Sequence, residues 1–167
     1  MTIPLGNLPY SYSEGTVTAV IEIPQGCNQK IEYDHEHDCF VLDRILDWHY
    51  PANYGFIPGT MCEDGDALDV MVIGEICLPR GTVLRVKPVA LVEMYDCQLH
   101  DPKLIAVPDC VEYPKRKDFK IITNFLKEYK AQGEVLVIER VYSHIYAKHT
   151  LSMSRDMYLD TNLKGDI

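Results

Sequence analysis

One stretch in the middle of the chain, residues 63–73, constrains the fold more than any other. Asp64, Asp66 and Asp69 fall within six positions of it, and an apolar run follows at once. If a strand begins near residue 67, Asp64 and Asp66 lie on the loop that enters it. Asp69 then alternates with apolar neighbours, because successive side chains of a strand point to opposite faces. One face can carry carboxylates while the other packs into a core.

Three carboxylates this close repel one another unless a positive charge lies between them. Oxygen-only ligands favour hard cations, with Mg²⁺, Mn²⁺ and Ca²⁺ as the candidates. A simple Asp-Gly turn with solvated carboxylates is the alternative that spacing alone leaves open. A calcium EF-hand loop is excluded, although Glu75 falls at its twelfth position counted from Asp64. That loop needs an oxygen ligand at position five and glycine at six, where this chain has Leu68 and Asp69.

Composition limits the function classes. The 167 residues predict one domain, residues 1–167, with residues 1–15 as a surface arm. A net charge of -9 argues against nucleic-acid and anionic-membrane partners, which need a basic field. We expect no signal peptide, and no apolar run approaches the ~20 residues that span a bilayer. Six cysteines without C-x-x-C spacing favour free thiols and a cytoplasmic location over three disulfides.

Hydrophobic periodicity predicts many short strands and one helix. The helix covers residues 118–130, with Asp118 as its N-cap, whereas residues 142–167 are ambiguous. Proline and glycine predict an irregular connection over residues 51–60, and Pro88 predicts a bulge or an edge in a long strand. This pattern is typical of a closed or nearly closed antiparallel barrel. The predicted strands are residues 16–23, 30–33, 39–42, 67–73, 82–94, 104–107 and 135–141.

A second acidic segment, residues 96–103, contains Asp96 and Asp101. It follows the longest predicted strand, whereas the first acidic segment precedes a strong one. Two loops at one end of a barrel would bring five carboxylates together, which implies more than one cation. Two unrelated, solvated loops are the alternative.

Cationic and phenolic side chains lie near these segments in the sequence. Lys30 and Glu32 share one face of a strand, and Arg44 follows an apolar run. Arginine, lysine and tyrosine around a carboxylate–metal site are what a phosphate ligand requires, because its oxygens need both metal and hydrogen-bond donors. Taken singly, each is a surface charge or a core residue. The further candidates are Lys103, Tyr129 and Lys130.

The histidine-rich segment 35–39 offers a different site. His35 and His37, with carboxylates nearby, could bind zinc from a hairpin. An intact structural loop is the interpretation that we favour.

Six ordered segments resemble one family, the soluble, Mg²⁺-dependent, barrel-fold inorganic pyrophosphatases of family I. The string Asp-Gly-Asp-Ala-Leu-Asp-Val at residues 64–70 is similar to that family's signature. The resemblance covers about residues 16–130 and implies a mainly β (α+β) fold. The fold would be a closed five-stranded OB-like antiparallel β-barrel with one or two flanking helices. The other matching segments are residues 20–24, 30–33, 43–58, 103–108 and 125–130.

The resemblance also implies an activity, namely hydrolysis of pyrophosphate to two orthophosphates by a water activated between Mg²⁺ ions. Mn²⁺ is a possible substitute, and a homo-oligomer, often a hexamer, is the family's usual assembly. Asp66 would be the general base or orient that water. The implied metal ligands are Asp64, Asp69, Asp96, Asp101 and Glu32. The implied phosphate-binding residues are Lys30, Arg44, Tyr54, Lys103, Tyr129 and Lys130. Glu22 and Tyr50 would support the site. Lys30, Arg44 and Tyr54 would also take part in catalysis.

Three departures from the family pattern stand out. Ala67 replaces the usual proline, Cys97 stands where an acidic residue is common, and residues 142–167 match poorly. Cys97 is the feature that favours a rival interpretation, a barrel module that binds a metal–phosphate ligand without catalysis. The retained carboxylates and phosphate-binding side chains favour the interpretation as an enzyme.

Overall fold

The computed structural model describes residues 3–10, 15–112, 114–129 and 136–164. Nine strands and two α-helices lie in these ranges, after a short 3-10 turn at Leu5–Asn7. The helices are α1 (Arg116–Glu128) and α2 (His144–Lys164). The strands are β1 (Val17–Ile23), β2 (Gln29–Asp34), β3 (Cys39–Ile45), β4 (Asn53–Phe56), β5 (Asp69–Val72), β6 (Val83–Asp96), β7 (Leu99–His100), β8 (Lys103–Pro108) and β9 (Leu136–Ser143).

Five strands close into a ring in the order β1, β4, β5, β8 and β6, and β6 returns to β1. Strands β7 and β9 pair with β6 outside the ring, and β2 and β3 form a separate hairpin. The predicted mainly β, five-stranded OB-like barrel with flanking helices is therefore confirmed. One detail differs from an antiparallel barrel, because β5 and β8 run parallel.

Strand β6 closes the ring because it is long enough to pair with two neighbours. Its first residues pair with β1, where Val86 lies opposite Val17, and its middle pairs with β8. The β6–β8 register shifts between Pro88 and Ala90, which confirms the predicted bulge. Proline has no N–H to donate to a ladder, so the irregularity falls where the sequence cannot continue regular pairing.

Apolar side chains pack on both faces of the ring. Met71 of β5 belongs to one buried cluster, which includes Ile122 and Leu126 of α1. Its neighbours Val70 and Val72 belong to a second cluster, which includes Leu151 of α2. The helices thus cover two different apolar surfaces, and β5 is buried on both faces beyond Asp69. No helix in the described ranges is long and apolar enough to cross a bilayer.

Three local predictions need correction. Residues 51–60 contain strand β4 rather than only an irregular connection. Gly55 is part of that strand because a Cβ there would lie 1.8 Å from the carbonyl oxygen of Val20 on β1. Asp118 lies inside α1 and not before it, where its carboxylate accepts a 2.8 Å hydrogen bond from the Lys115 N–H and thereby caps the first turn. Within the ambiguous tail, residues 144–164 form α2, after β9 ends at Ser143.

Candidate active site

A polar cavity of about 190 Å³ collects the acidic residues that the sequence singled out. Seven carboxyl groups and two lysines line it, together with Tyr54 and Tyr129. The carboxyl groups are those of Glu22, Glu32, Asp64, Asp66, Asp69, Asp96 and Asp101, and the lysines are Lys30 and Lys103.

The parallel pair β5–β8 explains why two distant acidic segments meet. Asp69 begins β5, Lys103 begins β8, and the two residues are partners in the register. Because parallel strands start at the same edge of a sheet, the loops that lead into them also lie at that edge. The loop before β5 carries Asp64 and Asp66, and the segment before β8 carries Asp101.

The first acidic loop is held by its own hydrogen bonds. The Cys62 N–H donates to the Asp66 carbonyl at 2.7 Å, and the Asp66 N–H donates to Asp64 Oδ1 at 3.0 Å. Gly65 has a φ of 89°, a left-handed conformation that glycine adopts without a steric cost. The Asp-Gly turn of the alternative interpretation is therefore present, and its carboxylates line the cavity.

The second acidic segment is a tight hairpin between β6 and β7. Its two turn residues, Cys97 and Gln98, have φ values of 47° and 72°, as a two-residue hairpin turn of the primed type requires. Asp96 ends β6, and the Asp101 N–H donates to the Met94 carbonyl at 2.9 Å. The turn thus places both aspartates at the cavity.

Lys103 lies between carboxylates of both acidic segments. Its side chain is 3% exposed, and Nζ lies 2.5 Å from oxygens of Asp69 and Asp101. Burial disfavours the charged form, but the two carboxylates outweigh burial and hold the pKa of Lys103 well above its usual range. Lys103 therefore stays protonated and links β5 to the segment before β8.

Burial and the surplus of carboxyl groups together raise several pKa values in the cavity. Burial, followed by the charge of Asp69, raises the pKa of Glu22 to about 8, even though its Oε1 accepts the Tyr33 N–H at 2.7 Å. Burial and neighbouring carboxylates, Asp64 first, raise the pKa of Asp66. Burial also raises the pKa of Asp101 against the lowering effect of Lys103. The protein therefore concentrates negative charge in this cavity at an electrostatic cost.

This donor set fits hard divalent cations. All the acidic donors are carboxylate oxygens, and a positive ion would relieve their mutual repulsion. In the ranges described, no three His, Cys, Asp or Glu side chains converge closely enough to hold an ion as they stand. Lys103 separates Asp69 from Asp101, so a shared ion requires these side chains to turn. The sharing of one ion by Asp64, Asp69 and Asp101 stays a prediction.

Side chains that could donate hydrogen bonds to phosphate oxygens surround the same cavity. Lys30 Nζ lies 2.8 Å from Asp43 Oδ2 and also bonds to Glu32. Burial lowers the pKa of Lys30, but these two bonds outweigh burial and raise it, so this cation persists at neutral pH. Tyr54, on β4, and Tyr129, the residue that follows α1, are both buried and line the cavity.

Three other predicted site residues are placed differently. Arg44 and Tyr50 are not among the side chains that line the cavity. Arg44 lies opposite Lys30 in the β2–β3 register. Tyr50 is a core residue, 1% exposed, and its ring packs against Tyr54 and Phe125. Its ring therefore belongs to the apolar layer behind Tyr54, and its supporting role stays a prediction. Lys130 falls outside the described residues.

His35 and Tyr33 line the cavity, although the site prediction did not include them. The His35 ring packs edge-on against Tyr33 and Phe56, with centroids 4.8 and 5.2 Å away. His37 instead pairs with Asp34 at 2.8 Å. The two histidines thus have different partners, and no group of three metal-binding side chains includes them where the structure describes the chain. The position of His35 just beyond the Lys30–Glu32 strand was the available signal.

Comparison with known proteins agrees with this geometry. The family model described as inorganic pyrophosphatase matches residues 19–158. The chain is 42% identical over 118 residues to an inorganic pyrophosphatase of Sulfolobus acidocaldarius, a match that covers 70% of this chain and 68% of that protein. It is 41% identical over 151 residues to one of Rhodospirillum rubrum, with 88% and 76% covered.

Solved structures give the same result. The crystal structure of inorganic pyrophosphatase from Thermus thermophilus superposes with a TM-score of 0.85 at 31% identity, and the match covers 93% of this chain and 99% of that one. A barrel whose cavity combines many carboxylates with lysines is typical of metal-dependent enzymes that act on phosphates. Within that class, the chain belongs to the inorganic pyrophosphatase family.

Proposed function

We propose that this chain is an Mg²⁺-dependent inorganic diphosphatase, which hydrolyses pyrophosphate to two orthophosphates without a covalent intermediate. The observation that carries the proposal is the Asp69–Lys103 register of β5 and β8. It brings two acidic segments, more than thirty residues apart, to one cavity that also contains Lys30. The family to which the chain belongs supports the same activity.

The proposed metal ligands are the carboxylates of the two acidic segments and of β2. Asp64, Asp69 and Asp101 would hold the tightest ion, and Asp96, Asp101 and Glu32 would hold ions that arrive with the substrate. Bound Mg²⁺ supplies Lewis acidity, which lowers the pKa of water and polarises phosphoryl oxygens. Mn²⁺ has the same oxygen preference and is a possible substitute.

Asp66 is the proposed general base. Its carboxylate lines the cavity and is not bonded to Lys103, which engages Asp69 and Asp101. A raised pKa brings a carboxylate closer to the operating pH, where proton transfer from water is more favourable. The Asp66 oxygen would therefore take the proton that the attacking water loses.

Donors around the cavity would neutralise the charge of the two phosphates. Lys30, Tyr54 and Tyr129 have side chains at the cavity and can donate hydrogen bonds to phosphate oxygens. Lys103 would fix the orientation of Asp69 and Asp101, and Glu22 would support β2 through the Tyr33 N–H. The further proposed phosphate contacts are Arg44, on the strand opposite Lys30, and Lys130.

The remaining expectations also stand as proposals. We propose a single domain over residues 1–167, a cytoplasmic location and a homo-oligomer, with a hexamer as the family resemblance implies. The net charge of -9 supports the expectation of neither nucleic-acid nor membrane partners.

A phosphate-release assay tests the activity. Purified protein is incubated with pyrophosphate and Mg²⁺, with a chelator in a parallel reaction, and with Mn²⁺ in a third. The proposal predicts rapid release with Mg²⁺ and none above background with the chelator. Pyrophosphate binding without phosphate release would establish the non-catalytic module instead.

A further inference from the structure

Glu63 connects the two acidic segments directly. Its Oε2 accepts a 3.1 Å hydrogen bond from the backbone N–H of His100, which is 37 residues away in the chain. Glu63 immediately precedes Asp64, and His100 immediately precedes Asp101. The bond therefore joins the residues next to two of the proposed metal ligands.

His100 is itself held firmly against β6. Its Nε2 lies 2.5 Å from Glu93 Oε1, and its ring packs on Tyr95 with centroids 5.3 Å apart. The next residue, Asp101, donates its N–H to the Met94 carbonyl. Because β6 fixes this end of the link, the bond from Glu63 positions the exposed loop that carries Asp64 relative to Asp101.

The turn between β6 and β7 needs contacts of this kind to hold its backbone. Cys97 and Gln98, in the turn that leads to His100, both have left-handed φ values. Residues without the freedom of glycine adopt this conformation at a cost and keep it only where surrounding contacts hold it. Asp64 is exposed, so its loop has little packing to fix its distance from the turn.

We propose that Glu63 is a positioning residue that sets the spacing of Asp64 and Asp101 for metal binding. The inference depends on the metal site of the proposed function. Glu63 acts through the hydrogen bond to the His100 N–H rather than through its charge. The two contributions can be separated, because glutamine keeps the length and an acceptor oxygen, whereas aspartate keeps the charge but is one methylene shorter.

The test compares E63A, E63Q and E63D with wild type. Mg²⁺ affinity is measured by isothermal titration calorimetry, kcat and KM by phosphate release, and Tm in a chelator. Changes at residues that orient metal ligands cost about 10–100-fold in affinity, so we expect about a 10-fold loss in E63A and E63D and less than about twofold in E63Q. The exposed carboxylate Glu75 gives the charge-matched controls E75A and E75Q, which should equal wild type.

Each outcome bears on a different statement. Wild-type Mg²⁺ affinity in E63A overturns the positioning role, as does a pattern in which E63D equals wild type and E63Q equals E63A, since charge alone would then explain the effect. A fall of the metal-free Tm in E63A and E63D but not in E63Q, with Mg²⁺ affinity unchanged in all three, identifies a purely structural bond and also overturns the positioning role. Wild type that neither binds Mg²⁺ nor releases phosphate contradicts the proposed function itself.

Discussion

Lys103 shows how single residues control the charge of this cavity. One buried ammonium neutralises part of a group of seven carboxyls, while burial, together with the remaining carboxylates, raises the pKa values of Glu22, Asp66 and Asp101. A buried charge that loses its partner is costly, so these residues depend on one another. The consequences are measurable one side chain at a time.

Asp66→Asn tests the general base. The amide keeps the shape of the side chain, and the backbone N–H can still donate to Asp64 Oδ1, so the loop should fold unchanged. We expect kcat to fall by roughly 10²–10⁴, the usual contribution of a general base. Phosphate release at saturating pyrophosphate measures kcat, and calorimetry should show Mg²⁺ affinity close to wild type. Unchanged turnover would remove Asp66 from this role.

Glu22 predicts how stability depends on pH. Its pKa rises from 4.5 to about 8 on folding, so the folded state binds the proton more tightly than the unfolded state. The resulting stability is present at low pH and is lost as pH rises from about 4.5 towards 8, by up to about 1.4 kcal/mol per pH unit. Thermal unfolding of the metal-free protein should show a falling Tm over this range.

Glu22→Gln is the matched variant. Glutamine resembles the protonated carboxyl and can still accept the Tyr33 N–H, so its Tm should fall less steeply with pH than that of wild type. Glu75→Gln, at an exposed position, should leave the slope unchanged. An identical slope in wild type and E22Q would show that Glu22 does not ionise in this range.

Much of the site was predictable at the level of residues, and most clearly its acidic part. All five predicted aspartates line the cavity, namely Asp64, Asp66, Asp69, Asp96 and Asp101. They could be predicted because dense aspartates next to strand ends are a local signal in the sequence. His35, whose ring lines the cavity, was missed, and Tyr50 lies in the apolar layer behind Tyr54. Whether an aromatic side chain faces a cavity or the core depends on long-range packing, which local spacing does not contain.

Among the five strands of the ring, β4 is the one that the sequence concealed. Glycine and proline normally interrupt strands, so residues 51–60 were predicted to be irregular. The structure shows that Gly55 is required for β1 and β4 to approach, because any Cβ would meet the Val20 carbonyl. The direction of β5 relative to β8 was equally hidden. The relative direction of two strands follows from how the ring closes, and a run of apolar residues looks the same whether the strand is parallel or antiparallel to its neighbour.

Gly55→Ala tests this interpretation of β4. A Cβ 1.8 Å from a backbone oxygen forces β1 and β4 apart, and overpacking of this kind costs about 1–3 kcal/mol or more. We expect the free energy of unfolding, measured with urea, to fall by at least that amount. Gly74→Ala is the control, since a Cβ there meets nothing within 4 Å. Equal stability of the two variants would mean that β1 and β4 do not need glycine.

For the whole molecule, the net charge of -9 and the acidic cavity predict a response to divalent ions. Ions that bind only the folded state stabilise it by mass action, by about 2.7 kcal/mol at 100 times the dissociation constant. Mg²⁺ should therefore raise Tm well beyond NaCl at equal ionic strength, and a chelator should reverse the rise. Equal effects of the two salts would indicate general screening rather than a site.

The position of a bound metal ion would show whether the two acidic segments form one metal site. Crystals soaked in Mn²⁺ give an anomalous signal that locates the ion independently of the protein coordinates. We expect a peak bonded to oxygens of Asp64, Asp69 and Asp101, with Lys103 turned away from the gap between the last two. A peak elsewhere, or no peak at these carboxylates in an enzyme that Mn²⁺ activates, would contradict this expectation.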